Sequence, residues 1–334
     1  MSEQAFDDQV IRELADGRPR TGQQLAERLS VSQGMISQCL RSLTDVGLHV
    51  QAMKGKRYRL GQAIELLSEA RIHQLLEPGV LARLASFELY LRTDSSNERL
   101  LERSPPAPGR SRVCLAEYQT SGRGRMGRQW QAPFASGLCL SIAHVFEKPD
   151  ATFSALGLAA GVAVVEALAQ FGLPGVGLKW PNDVIWQGRK LGGVLIETRG
   201  EANGQVRVVI GVGLNYALDG ESRRAIAESA VLLPVDILEA HTSKPAGRNV
   251  LAAVLVNCLF AMLAKYERLG LAPFLDSWRK VDMLVDRLVV IDAGSAQVAG
   301  IARGIDRSGA LLVEVDSVQQ RFVSGEASLV KTGL

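Results

Sequence analysis

"TSGRGRMGRQW", residues 120–130, decides the fold, because two nucleotide-binding folds open on a run like it. Gly122, Gly124 and Gly127 spell G-x-G-x-x-G, and Gly122 and Gly127 also have P-loop spacing. A dinucleotide fold needs a strand before these glycines and a helix after them. Here "RQWQAPFASGLCLSI" follows, and its Pro133 and Gly137 lead into an apolar strand. A P-loop needs a lysine for the phosphates and a hydroxyl for magnesium. Arg128-Gln129 stand at those positions. Both readings are rejected. What remains is a flexible cationic loop carrying Arg123, Arg125 and Arg128, whose guanidinium forks match phosphate oxygens. A merely solvated basic loop stays open as an alternative.

Outward from this loop, the chain alternates strands and helices. "SFELYLR", "RVCLAEY" and "LCLSIAHVF" read as strands, and residues 152–171 as a helix. "VGLKW", "DVIW", "KLGGVLIET" and "VRVVIGVGLNY" read as an antiparallel meander with a turn at Asn203-Gly204. Helices are expected near 222–230, 248–269 and 271–281. Strands beside packed helices predict an α+β catalytic unit with a mixed or antiparallel sheet, over 81–282. The apolar stretches at about 153–171 and 250–264 read as buried core helices rather than membrane spans.

Within this unit three more stretches stand out. In "LKWPNDVIWQGRKLGGVLIE", Lys179 and Lys190 flank a short strand, and Asn182 and Asp183 sit at its start. In "GVGLN", alternation puts Gly211, Gly213 and Asn215 on one face, where two missing side chains leave a slot for a flat ligand or for tight sheet packing. In "TDSSNERLL", Ser95 and Ser96 precede a helical run, suiting an anion, a polar ring or an ordinary cap. Together the clusters suit attack of a carboxylate on the α-phosphate of ATP, where cations must neutralise two repelling anions.

Residues 1–62 read as a separate winged helix-turn-helix. Phe6, Val10, Ile11 and Leu14 recur at helical spacing. Thr21 and Ser32 can cap the next two helices, with Met35, Ile36, Cys39, Leu40 and Leu43 expected inward. Gln33, Ser37, Gln38 and Arg41 face outward, and Lys54, Lys56, Arg57 and Arg59 crowd a hairpin tip turning at Gly55. A recognition helix and a basic wing favour DNA; a protein-interaction module stays open. Residues 63–80 read as a connecting helix ending at Pro78-Gly79. The last segment, 283–334, has short strands "RLVVID", "QVAGIARGID", "ALLVEV" and "QRFVSG", as in a small barrel.

Composition sets bounds without deciding function. The chain has 334 residues, 47% hydrophobic and 22% charged, with a net charge of only +3. That charge alone argues for neither nucleic acid nor membrane. Four cysteines without a C-x-x-C pair, and scattered histidines, predict reduced buried thiols and no transition-metal site. No secretion signal is visible, so a cytoplasmic location is expected.

"GRGRMGRQW", "KWPNDVIWQGRKLGGVLIE" and "GVGLN", after a winged helix, closely resemble the bifunctional biotin protein ligases of bacteria. The resemblance implies a C-terminal SH3-like barrel and synthesis of biotinyl-5′-AMP from biotin and MgATP. It implies biotin transfer to a lysine of the biotin carboxyl carrier protein of acetyl-CoA carboxylase. It also implies homodimerisation with biotinyl-AMP bound, and binding to biotin operon operator DNA through Thr21, Ser32 and the outward residues of the winged helix. Carried over by motif, Ser95, Ser96 and Asn97 meet the ureido ring, with Gln119 and Gly122 to Arg125 covering biotin. Lys190 bridges carboxylate and α-phosphate, and is the first candidate for catalysis with Arg123 and Arg125. Lys179, Asn182, Asp183, Arg128 and Asn215 serve the nucleotide, and Asp183 is a candidate magnesium contact. Ser96 and Met126 depart from threonine and arginine found in other members. The segment after Asn215 is expected to close over adenine without assigned contacts. A lipoate protein ligase is the alternative enzyme.

Overall fold

The computed structural model describes residues 3–43, 47–48, 50–61, 63–146, 153–200, 205–241, 245–292, 294 and 297–330. The expected turn at Asn203-Gly204 and the expected first boundary at Gln62 lie outside these residues.

The N-terminal unit has helices α1 (Glu3–Leu14), α2 (Gly22–Leu29) and α3 (Gln33–Ser42), and strands β1 (Arg20–Thr21), β2 (Val50–Met53) and β3 (Arg57–Leu60). Thr21 and Gln24 form a reciprocal capping box, and Ser32 Oγ accepts from Met35 N. Phe6, Val10, Ile11 and Leu14 are buried against Leu25, Ile36 and Leu40. Met35, expected inward, is instead 46% exposed. It lies on the outer face with Gln33, Ser37, Gln38 and Arg41, because the buried stripe of α3 is only Ile36, Cys39 and Leu40. Gly55 turns the wing at φ +80. The unit's apolar cluster continues into Leu91, Phe134 and Ala135, so it is packed onto the central unit.

The connecting segment departs from expectation. Residues 63–68 carry no regular element; α4 (Glu69–Leu75) and α5 (Pro78–Arg83) follow. Pro78 opens a helix rather than closing one, since a first-turn proline has no missing hydrogen bond to regret.

The central unit is built on β4 (Leu84–Thr93), β5 (Ser111–Gln119), β6 (Gly137–Phe146), β7 (Val176–Lys179), β8 (Asp183–Trp186), β9 (Arg189–Gly200) and β10 (Val206–Asn215). Their order is β4-β5-β6-β10-β9-β8-β7, with only β4 and β5 parallel. Helices α6 (Ser96–Glu102), α7 (Phe153–Gln170), α8 (Gly220–Ser229), α9 (Ile237–Ala240), α10 (Arg248–Leu269) and α11 (Leu275–Val281) complete it. The last expected helix is thus a 3-10 turn at Ala272–Phe274 running into α11. Helix α10 has the length and composition of a membrane span, yet 61% of its apolar window is buried inside the protein. Its Leu255, Leu259 and Leu263 and the apolar residues of α7 share one core with the sheet.

The C-terminal sheet has five antiparallel strands: β11 (Leu288–Asp292), β12 (Gln297–Ile305), β13 (Leu311–Val315), β14 (Val318–Phe322) and β15 (Glu326–Leu329). The expected fourth strand shifts toward Val318, and β15 was not foreseen. "EASL" is too short and too polar to read as a strand; pairing with β11 makes it one.

Candidate active site

One cleft gathers the loop, the ends of β6, β9 and β10, and the start of α6. Counted out to its open mouth it spans about 1320 Å³.

Its polar end is built at the start of α6. Ser95 caps the helix. Ser96 N and Oγ donate to Gln119 Oε1 at 2.7 and 3.1 Å. Ser141 Oγ lies 2.7 Å from Ser96 Oγ and donates to Asn97 Oδ1 at 2.5 Å. Asn97 Nδ2 donates to Glu197 Oε2 at 2.8 Å. Ser95, Ser96, Asn97 and Ser141 are all buried. A Cβ on Gly211 would lie 2.5 Å from Asn97 Oδ1, and one on Gly213 would lie 2.5 Å from Trp130 Cε2. Neither glycine has a positive φ, so close approach rather than backbone freedom demands them.

The cationic end rests on strands. Gln187 and Gly188 both take positive φ, the signature of a two-residue type I′ hairpin, which brings β9 back against β8. Lys190 and Lys179 thereby converge on one carboxylate. Lys190 Nζ lies 2.6 Å from Asp183 Oδ1, and Lys179 Nζ 2.9 Å from Asp183 Oδ2. Burial alone would raise the Asp183 carboxyl, but the two ammonium groups outweigh it and hold it below its ordinary value. Lys179 also donates to Ala327 O of β15 at 2.9 Å. Asn182 is fixed by paired bonds with Val194. Asn215 Nδ2 donates to Val235 O at 3.1 Å. Lys190, although paired with Asp183, keeps 30% of its side chain exposed and lines the cleft.

The loop covers the space between. Gly124 N donates to Arg128 O at 2.7 Å, and Met126 and Gly127 turn at φ 55 and 74. No helix follows, only β6. Arg123 pairs with Glu98 and Glu197, and Arg128 with Glu326. Arg125 has no carboxylate within ion-pair distance among the described residues; burial lowers its pKa, Arg128 adds to that, and Asp183 opposes it. Gly122 stands apart from the cleft proper, where a Cβ would overlap the Trp130 carbonyl.

Several lining residues escaped the sequence. Ser141 and Cys139 pair directly with Gly211 and Gly213 and share their face. Ser141, a polar residue within the otherwise apolar "LCLSIA", was the available signal. Ile226, Ser229, Val231 and Pro234 line the far side, where the segment is tied to β9: Lys190 N donates to Leu233 O and Val235 N donates to Lys190 O. Glu326 and Ser328 come from β15. Among the described residues no group of three or more His, Cys, Asp or Glu could hold a metal.

On the winged helix, Gln33, Ser37, Gln38, Arg41, Lys54, Lys56 and Arg57 are exposed. The Thr21 and Ser32 hydroxyls accept from backbone N–H groups as caps.

A model described as the biotin/lipoate A/B protein ligase family matches residues 90–215, and a biotin protein ligase C terminal domain matches 289–330. The chain is 38% identical over 320 residues to the bifunctional ligase/repressor BirA of Salmonella typhimurium, covering 96% of each. It is 31% identical over 246 residues to the biotin–[acetyl-CoA-carboxylase] ligase of Paracoccus denitrificans, covering 70% of this chain and 97% of that one. Biotin protein ligase from Aquifex aeolicus in complex with biotin and ATP superposes with a TM-score of 0.57 at 26% identity, over 75% of this chain and 99% of that one. With a relative this similar along nearly its whole length, and a cleft that joins a buried amide–hydroxyl network to a strand-borne lysine pair, the chain belongs to the biotin protein ligase family.

Proposed function

We propose that this protein is an ATP-dependent biotin ligase that activates biotin as biotinyl-5′-AMP and passes it to a lysine of a biotin carboxyl carrier protein. One observation carries the reading: the Lys190 ammonium, anchored on Asp183, lines the same cleft as the buried Ser96–Gln119–Asn97 network and the loop arginines. Ser95, Ser96, Asn97 and Gln119 hold the ureido ring. Gly211 and Gly213 leave room beside it, and Gly122 to Arg125 fold over it. Biotin binds first and MgATP second, with magnesium arriving on the nucleotide. A biotin carboxylate oxygen bonds to the α-phosphorus while the bond to the β-phosphate oxygen breaks, and pyrophosphate leaves. Lys190 neutralises both partners of that step, Arg123 and Arg125 hold the acyl-adenylate, and Arg128, Lys179, Asn182, Asp183 and Asn215 serve the phosphates and ribose side. The segment from Ile226 to Pro234 closes over adenine. The uncharged amine of the acceptor lysine then bonds to the acyl carbon, AMP leaves, and the amine proton passes to solvent. The test is to offer biotin and lipoate side by side with ATP. Exchange of pyrophosphate into ATP driven by biotin is expected; exchange driven by lipoate alone sinks the reading.

A second role rests on its own observation. The exposed face of α3 carries Gln33, Ser37, Gln38 and Arg41 beside a basic wing, and BirA relatives are named ligase/repressors. Biotinyl-AMP then favours a homodimer whose two winged helices grip a biotin operon operator in the cytoplasm, where free thiols persist. A gel shift on the biotin biosynthetic promoter, with and without biotinyl-AMP, checks it.

A further inference from the structure

The segment between the winged helix and the central sheet is held by its backbone along one helix. Arg248 Nη1 donates to Glu65 O at 2.8 Å, and Asn249 Nδ2 to Leu66 O at 3.1 Å. Ser68 N donates to Asn249 Oδ1 at 2.7 Å. Farther along α10, Asn257 Nδ2 donates to Leu75 O at 3.2 Å and Glu77 N to Asn257 Oδ1 at 3.1 Å. The Glu65 carboxylate accepts from Arg248 N and Asn249 Nδ2 at 2.6 and 2.8 Å. A flexible tether makes no such paired contacts.

Arg248 also reaches in the opposite direction. Its Nη2 donates to Glu117 Oε2 and to Gly137 O, each at 2.6 Å. Both side chains are buried, at 2% and 0% exposure. Glu117 Oε1 accepts from Leu67 N at 2.5 Å, and Glu117 O from Ala135 N at 3.1 Å. Glu117 lies two residues before Gln119 on β5, and Gly137 opens β6 opposite Asn215. One guanidinium therefore ties the connecting segment to the feet of two strands that line the cleft.

Stability alone is a poor reason for this arrangement. A buried ion pair is often replaced by apolar side chains at no loss. Arg248 Nε, moreover, has no hydrogen-bond partner among the described residues, which is a cost. What the pair supplies is position. We propose that Arg248 and Glu117 are positioning residues of the biotin pocket, holding β5 and β6 in register with the connecting segment so that the Gln119 carboxamide meets Ser96. The proposal rests on the ligase reading above.

The test is biotin-dependent pyrophosphate exchange in the full chain. Glu117→Gln keeps the shape and removes the charge. It is expected to raise KM for biotin roughly tenfold, with kcat and KM for ATP within about twofold of the unmutated chain. Arg248→Lys should raise it less than Arg248→Met. Asn249→Ala, which removes side-chain hydrogen bonds to Glu65, Leu66 and Ser68 of the connecting segment, should shift biotin KM in the same direction. An unchanged biotin KM in folded Glu117→Gln overturns the proposal. So does a loss confined to kcat, or recovery of that variant only as unfolded protein, which would make the pair a stability device. Absence of exchange in the unmutated chain would instead remove the ligase reading, and this inference with it.

Discussion

The cleft has two cationic walls made in opposite ways. On the lysine wall, Lys179 and Lys190 stand on hydrogen-bonded strands and share the mostly buried Asp183. On the loop wall, Arg123 and Arg128 reach across solvent-facing space to Glu98, Glu197 and Glu326, with side chains 45% and 47% exposed. Exposed pairs of this kind hold weakly. A phosphate can replace those carboxylates, whereas it can only join the lysine wall. In the reaction proposed above, the difference separates two tasks: charge placed before reaction sits on rigid elements, and cover that opens for substrate sits on a loop.

That contrast can be broken most directly at Lys190. Lys190→Ala should lower biotin-dependent pyrophosphate exchange by about a thousandfold, the scale of a preorganised charge facing a developing one, in a variant that still folds and melts cooperatively, below the unmutated chain because Asp183 keeps only Lys179 as partner. Near-normal exchange in the folded variant would take the lysine wall out of the chemistry. Next in size is Arg125→Gly, which should speed release of preformed acyl-adenylate about 10–100-fold, as for loss of a charged hydrogen bond. Bystander lysines would then be labelled; labelling of the carrier alone would deny the loop its covering role.

A third test uses pH. The ordinary Asp183 carboxyl titrates near 3.8, and its two lysines hold the folded value lower. A depressed carboxyl adds stability above its unfolded pKa and loses it as pH falls through the folded one. Asp183→Asn should therefore melt below the unmutated chain at neutral pH, with the gap closing below about pH 4. A gap constant across that range would mean the charges do not hold the wall together. The smallest effect is expected at Glu326→Gln, a change under about threefold in exchange at saturating substrates, because the pair is exposed. A larger loss would show that the loop wall, too, is fixed in advance.

Local features were the most readable part of this chain. The capping residues Thr21 and Ser32, the turn at Gly55 and the alternation of "GVGLN" each depend on near neighbours, and each formed as expected, while Ser95, whose reading the sequence left open, caps its helix. Met35 misled because one residue of a helical turn separates the buried stripe from the exposed one. Pro78 misled because proline marks a helix start as readily as an end. Cys139 and Ser141 could not be placed in the cleft without knowing that β6 lies beside β10.

By itself the amino-acid order determined the three kinds of structural unit, the loop's charge and the lysine-bearing hairpin, since hydrophobic period, caps and turn residues act over a few positions. Only the tertiary structure decided that β15 would bring Glu326 and the Ala327 carbonyl to the cleft, that the segment after α8 would bond to Lys190, and that Arg248 would join Glu65 to Glu117 across 183 and 131 positions of chain. Pairings at that separation leave no periodic mark in sequence; they exist because one shared core forces distant strands and helices together.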